Sequence, residues 1–310
     1  MKIPVILLFC AGMVRAQIVS PQLGLVQDGI RLRPVYGIPA AAAVLPPLDY
    51  GREFARVAVS PRQDYAIASD SDTGVVLLVM AGAATPLAGT AANPDRIAIS
   101  PHGSTAALWF SSAGRLQIIS GLPASPSVRD APTAFLNEFP SALAVSDDGV
   151  LAVGAWPDGL YSFGSSGEAT RIPMRERIAA VAFYGSGHDL ALATRLQILK
   201  IANAGSAGAI STLYQAGPLD PVGLALSRDN QRLTLAERTG SLLTLDLGSG
   251  AASQLDCGCS PEGVFPMGAS VFRITAFDGS TFRLFDPSSS SLFFVPIASA
   301  QQASIQGGAQ

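Results

Sequence analysis

Cys257-Gly258-Cys259 is the most chemically distinctive stretch of this sequence. In an extended chain, residues i and i+2 point the same way, with Cα atoms roughly 6.5–7 Å apart, at the edge of the ~4.4–6.8 Å that a disulfide accepts. Gly258 lets the backbone tighten between them. Apart from Cys10 these are the only thiols, so a small-ring disulfide that pins a loop is expected. Redox exchange by the same pair is the sharper alternative. The two histidines stand far away in sequence, His102 in "SPHGS" and His188 in "SGHDL". A zinc site or a Cys–His nucleophile requires them to meet the cysteines in space. The sequence contains no Gly-x-Ser-x-Gly elbow, His-Glu-x-x-His pair, phosphate loop or dinucleotide fingerprint.

The remaining reactive groups are charged residues in turn-like contexts. Asp70 and Asp72 lie in "SDSDTG", Asp158 in "WPDG", Glu237 in "ERTG" and Asp278 in "FDGS". Hard cations such as Ca²⁺ or Mn²⁺ take oxygen ligands, so convergence of these carboxylates would make a metal site. Asp-Gly and Asp-x-Gly are also ordinary hairpin chemistry. Arg96, Arg129, Arg175, Arg177 and Arg238 offer an anionic ligand its counter-charge, and Trp156 in "AWPDG" is a large aromatic in a turn, suited to ligand or partner contact. Which of these groups meet depends on the elements that carry them.

Those elements repeat. "VAVSPRQDYAIA" begins at Val57, "IAISPHGSTAAL" at Ile97, "LAVSDDGVLAVG" at Leu143, "VAFYGSGHDLALA" at Val181 and "LALSRDNQRLTLA" at Leu224, with a degraded copy, "VFPMGASVFRITA", at Val264. A period near 40 residues made only of short apolar runs means one four-stranded unit per repeat. In the copy at Leu224, strand A is expected at Leu224–Leu226, B at Arg232–Ala236, C at Ser241–Asp246 and D at Ala251–Leu255, each bounded by Gly, Asp, Asn or Ser as antiparallel hairpins require. Pro126–Phe139 is the longest connection and has room for one helical turn. Before the first copy, "LGLVQDGIRLRPV" reads as two strands around Asp28-Gly29 and "AAAAVL" as a third. That makes a blade without a clear inner strand, its missing strand supplied by Ile18–Pro21 or by the tail after Pro296. Ring closure removes long exposed sheet edges. The expected fold is therefore all-β, a seven-bladed β-propeller of four-stranded antiparallel blades, with six blades plus an extra N-terminal sheet as the alternative.

Composition agrees. Of 310 residues, 48% are hydrophobic and 14% charged, which supports a large core, and 31 Gly with 22 Pro supply many turns. A net charge of -3 gives no reason to expect nucleic acid or an anionic membrane as partner. Lys2 followed by an apolar Ile3–Val14, then Val14-Arg15-Ala16, reads as a signal peptide of residues 1–16 cleaved before Gln17. That apolar stretch is well short of the ~20 residues of a membrane span. The expected mature chain is one propeller domain, residues 17–297, with a low-complexity tail at 298–310, exported to a periplasm or the exterior as a monomer. There its cysteines meet an oxidising compartment.

The copies resemble the S-P-D-G repeats of bacterial propellers, a broad group with WD40-like, TolB-like and YVTN-type members. The matching residues are Ser60-Pro61, Ser100-Pro101-His102-Gly103, Ser146-Asp147-Asp148-Gly149 and Ser227-Arg228-Asp229. The Trp-Asp dipeptide of true WD40 blades is absent, and "LRPVYGIPAAA" and "FFVPI" are similar to uncharacterised exported propellers of soil bacteria. The resemblance implies a fold and no particular activity. In a propeller, A–B and C–D turns share one face, while B–C turns and D-to-A connections share the other, where ligands usually enter. Both histidines then fall in A–B turns, as exposed turn residues, away from the cysteine loop. The carboxylates, the five arginines, Trp156 and the Cys257–Cys259 loop fall on the second face. The expected function is a non-catalytic binding or scaffold module for a protein or small ligand, working through that face and using no cofactor. The alternative is a metal-assisted hydrolase of lactonase type, with Ca²⁺ or Mn²⁺ held by the carboxylates at the propeller mouth.

Overall fold

The structure, a computed structural model, describes residues 21–298 apart from 132, 134, 135, 137, 166–168, 186, 207 and 216. The proposed signal peptide, Ile18–Ser20 and residues 299–310 lie outside the described residues. Seven antiparallel sheets form the seven blades of a β-propeller. Blades 2 to 7 each have four strands in sequential order, and their inner strands are Phe54–Val59, Arg96–Ile99, Ala142–Val145, Ile178–Phe183, Pro221–Leu226 and Phe265–Pro266. In blade 6 the strands run Pro221–Leu226, Arg232–Glu237, Ser241–Asp246 and Ala252–Asp256, within a few residues of the bounds expected from turn chemistry.

The inner strands share a three-residue pattern: Val57-Ala58-Val59, Ile97-Ala98-Ile99, Leu143-Ala144-Val145, Val181-Ala182-Phe183 and Leu224-Ala225-Leu226. Side chains alternate across a strand, so the bulky pair faces one neighbouring blade and the alanine the other. Leu143 and Val145 pack toward Ala107 and Trp109 of blade 3. Ala144 packs toward Val181 and Phe183 of blade 5. Repeated around the ring, this gives seven apolar layers, one between each pair of neighbouring blades, including the pair that joins blade 7 to blade 1. From blade 2 to blade 6 each interface thus buries one large face against one small one, as radial packing near an axis demands.

Two expectations need correcting. Blade 1 does have an inner strand, Gln22–Asp28, which packs against Phe54–Val59 on one side and the Gly268–Ser270 turn on the other. It pairs with Arg31–Tyr36 around Asp28-Gly29, and that strand pairs with Ala43–Val44. The position left short is the outer one, and the chain after Pro296 reaches it. Ile297 forms a parallel bridge with Val44, and the Ala298 amide donates to the Val44 carbonyl at 2.8 Å. The outermost strand of blade 7 and the edge of blade 1 are therefore consecutive residues. The long connection at Pro126 holds no helical turn among its described residues. Ser127–Ala131 is the outer strand of blade 3, because Val128 and Ala131 find apolar layers to join. The helices among the described residues are three short 3₁₀ turns.

Candidate functional site

The A–B turns begin with a serine that organises them. Ser60, Ser100, Ser146 and Ser227 are buried, and each hydroxyl accepts a backbone amide of its own turn: Arg62 at 3.1 Å, Thr105 at 3.1 Å, Leu151 at 3.0 Å and Arg232 at 2.8 Å. The fourth residue of each turn sits in the left-handed region. Two copies put glycine there, Gly103 and Gly149, while the others use Gln63 at φ 63° and Asn230 at φ 56°. A non-glycine residue in that region is costly unless its side chain finds compensating work. Gln63 is held from three sides: its Oε1 accepts the Leu25 amide of blade 1 at 3.1 Å, and its Nε2 donates to Pro266 O of blade 7 at 2.7 Å and Ser60 O at 3.0 Å. Asn230 accepts from the Gly185 amide and donates to its carbonyl, both at 2.9 Å, tying blade 6 to blade 5.

The two histidines complete this belt. His102 Nδ1 lies 2.7 Å from Asp147 Oδ2, and the His102 amide donates to Asp147 Oδ1 at 2.7 Å. His188 Nε2 lies 2.9 Å from Asp148 Oδ2. The adjacent aspartates of blade 4 thus reach in opposite directions, one to blade 3 and one to blade 5. Burial pushes the Asp147 carboxyl up, but the His102 ring and amide outweigh it and hold it below the usual carboxylate range. These histidines are only partly exposed, and each is engaged by a neighbouring blade. The paired aspartates and the side chains at the turn's fourth position were the sequence signal for this, readable only once the turns are known to touch.

Inside the belt, at the A–B end of the axis, lies a cavity of about 370 Å³. Its walls come from the inner strands, among them Ile99, Val145, Phe183 and Leu226, with Met267 from the blade 7 turn and Phe272 from the second strand of blade 7. Its rim comes from Pro61, Arg62, Pro101, Ser227, Arg228 and Ser270. Among the described residues, no Asp or Glu lines it. Arg62 and Arg228 are exposed, and neither guanidinium makes a salt bridge or hydrogen bond among the described residues.

The opposite face is organised differently. Four of the residues expected there, Trp156, Asp158, Arg175 and Arg177, surround one open cleft of about 200 Å³. Trp156 does not offer its ring to that cleft: it is 3% exposed, stacks edge-on with Trp109 at 5.1 Å, and donates from Nε1 to Glu138 O at 2.9 Å. It is a packed turn residue because the layer between blades 3 and 4 has room for two indoles. Arg96 is turned inward, donating to Pro140 O at 2.7 Å and Ser141 O at 2.8 Å, and burial lowers its pKa. Arg129 lies within the outer strand of blade 3 and reaches Gly149 O, at 2.8 Å, in the A–B turn of blade 4. Arg238 is exposed and pairs with Asp220 at 3.4 Å.

The carboxylates do not converge. Asp70 accepts the Thr73 amide at 2.9 Å and hydroxyl at 2.8 Å and pairs with Arg52 at 3.0 Å. Asp278 accepts Ser280 and Thr281 amides, Asp158 the Tyr161 hydroxyl, and buried Glu237 the Asp220 amide. Asp72 lies beside a separate depression with Arg52 and Glu53. Among the described residues, no three His, Cys, Asp or Glu side chains are grouped to hold a metal ion. Cys257 and Cys259 are joined by a disulfide with Cα atoms 5.2 Å apart. Arg283 donates to the Cys257 carbonyl beside it.

Compared with known proteins, no protein-family model and no curated sequence matches the chain. Solved structures do. Apo AztD from Citrobacter koseri is similar with a TM-score of 0.60 at 11% identity, covering 89% of this chain and 94% of that one. Sqt1 of Saccharomyces cerevisiae matches with a TM-score of 0.56 at 11% identity over 90% and 86%. A chain of the mitotic checkpoint complex gives 0.57 at 13% identity over 92% of each. These likenesses show the fold, a β-propeller. No helix among the described residues is long and apolar enough to cross a membrane.

Proposed function

We propose that this chain is an exported binding module that works without catalysis and takes its ligand at the A–B end of the propeller axis. The observation that carries this reading is the axial cavity, whose apolar walls and rim, carboxylate-free among the described residues, offer a ligand burial but no reacting group. Its volume falls in the ~300–1,000 Å³ range of small-molecule sites. Export is supported by the charged and apolar N-terminus and by a disulfide, which persists in oxidising compartments. The propeller's other surfaces remain available to protein partners, a common use of this fold.

The test uses the neutral apolar dye N-phenyl-1-naphthylamine, titrated into the mature chain. Saturable binding at one site is expected, weakened at least tenfold by Pro101→Trp, which places an indole at the mouth. Equal binding by the variant would overturn the axial site. Thermal unfolding in EDTA and then in Ca²⁺, Mn²⁺ or Zn²⁺ addresses the hydrolase alternative, since a native-state ligand raises the midpoint in proportion to RT ln(1 + [L]/Kd). A metal-specific shift would shift the reading toward lactone or ester hydrolysis.

A further inference from the structure

Resting on the axial-site reading, we infer that the ligand is a small amphipathic acid, its carboxylate held by Arg62 and Arg228 at the mouth and its aliphatic body buried among the inner strands. Three observations converge. The walls are apolar: Ile99, Val145, Phe183, Leu226 and Met267 present only hydrocarbon and one thioether. Among the described residues, the rim carries two arginines and no acid. Neither guanidinium makes a hydrogen bond or salt bridge among the described residues, although Asp64 stands in the same turn as Arg62 and Asp229 beside Arg228. Apart from Asp64, the A–B acids are already engaged. Asp147 and Asp148 hold histidines, Asp189 holds Lys200, and Asp229 accepts the Ser227 hydroxyl and the Gln231 amide.

The placement of those two arginines matters. Arg62 comes from blade 2 and Arg228 from blade 6, so they approach one opening from either side of blades 1 and 7. Two like charges at the mouth of a low-dielectric funnel focus field lines and draw in an anion. Guanidinium presents a planar fork of donors that matches a carboxylate. Ser270 also stands at the rim, where a polar head would sit. A cation is disfavoured by the same field, and a neutral hydrocarbon would leave both arginines unused.

The experiment displaces N-phenyl-1-naphthylamine from the mature chain with three ligands of equal chain length: decanoate, decanol and decyltrimethylammonium. Decanoate should bind about tenfold more tightly than decanol, with the ammonium weakest, and high salt should erase the preference because the mouth is open to solvent. Extending the acid from octanoate to decanoate should tighten binding about fourfold per methylene. The double variant Arg62→Gln, Arg228→Gln should abolish the affinity ratio of decanoate over decanol. If the dye binds and Pro101→Trp blocks it, but decanoate is no better than decanol, the acid is wrong and the cavity stands. Dye binding that ignores Pro101→Trp removes both. Retention of the decanoate preference in the double variant would also overturn the role given to these arginines.

Discussion

The two faces of the ring are built from the same repeat and handle their polar groups in different ways. On the B–C and D-to-A face, several charged side chains are satisfied within their own turn or by the adjoining connection: Asp70 by Thr73 and Arg52, Asp278 by Ser280 and Thr281, Asp158 by Tyr161, Arg238 by Asp220. Arg96, donating to Pro140 O and Ser141 O, and Ser141, donating to Ile178 O, cross to the next blade. On the A–B face, polar side chains cross from blade to blade: Gln63 to Leu25 and Pro266, His102 to Asp147, His188 to Asp148, Asn230 to Gly185. The A–B belt therefore couples blades through most of its polar side chains, while the other face satisfies more of its charges locally and has fewer such crossings. Surroundings of fixed shape are what a preorganised pocket needs, and the axial cavity opens within the belt.

The largest expected effect tests whether the second face is as self-contained as its contacts imply. Trp156 belongs to that face by sequence position but to the core by burial, so Trp156→Ala should cost about 3–5 kcal/mol in urea unfolding, as large-to-small core changes do. It should leave dye binding at the axis untouched in the folded fraction. A loss under about 1 kcal/mol would mean the ring is a surface group and the contrast between the faces is weaker than drawn.

A smaller effect sharpens the contrast from the other side. Gln63→Ala removes three hydrogen bonds joining blades 1, 2 and 7 while keeping a side chain at a left-handed position, and should cost about 1–2 kcal/mol. Gln63→Gly loses the same bonds but relieves the backbone, so it should be about 1 kcal/mol more stable than the alanine variant. Arg238→Ala, its counterpart on the opposite face, exposed and paired at 3.4 Å, should stay within about 0.5 kcal/mol of wild type. Equal losses at Gln63 and Arg238 would erase the distinction between a coupling belt and locally satisfied hairpins.

The fold was legible in the sequence because it rests on local signals repeated around the ring: an apolar-Ala-apolar run in five copies, a serine-led turn in four of them, and a second apolar run after each. Each specifies a hairpin, and the period near 40 residues specifies the ring. Blade 1 was misread because its inner strand lacks the serine-led turn. Gln22–Asp28 instead uses Asp28-Gly29, and the outer closure at Ile297 depends on contacts across the whole chain. The disulfide was expected because the two cysteines are the only thiols besides Cys10 and Gly258 lets the chain tighten, although an extended i, i+2 spacing lies at the edge of what a disulfide accepts. The axial site was not, because no single turn contains it. Arg62 and Arg228 occupy different positions in their turns and are 166 residues apart, and only the closed ring brings them to one mouth. Trp156 shows the converse: its place in a turn suggested exposure, but a partner indole from another blade buries it.

The smallest predicted effect is a pH dependence confined to the second face. The Thr73 amide and hydroxyl, aided by Arg52 and the Asp72 amide and opposed by burial, bring the Asp70 carboxyl down to about 2. An unfolded aspartate titrates near 3.9. Because the folded value is the lower one, the native state holds its charge more strongly. The stabilisation is complete above about pH 4 and is lost as pH falls toward about 2. Since the pairing arginine is half open to water, its size is discounted to about 1 kcal/mol. Asp70→Asn should therefore be less stable than wild type by about that amount at pH 6, with the gap closing between pH 4 and 2. The variant should not alter the affinity of the axial cavity at any pH in that range, since none of the Asp70 partners reaches another blade. A gap that persists unchanged to pH 2 would show that Asp70 acts through shape rather than charge. A shift in axial affinity would show that the two faces communicate, contrary to the separation that the hydrogen bonds describe.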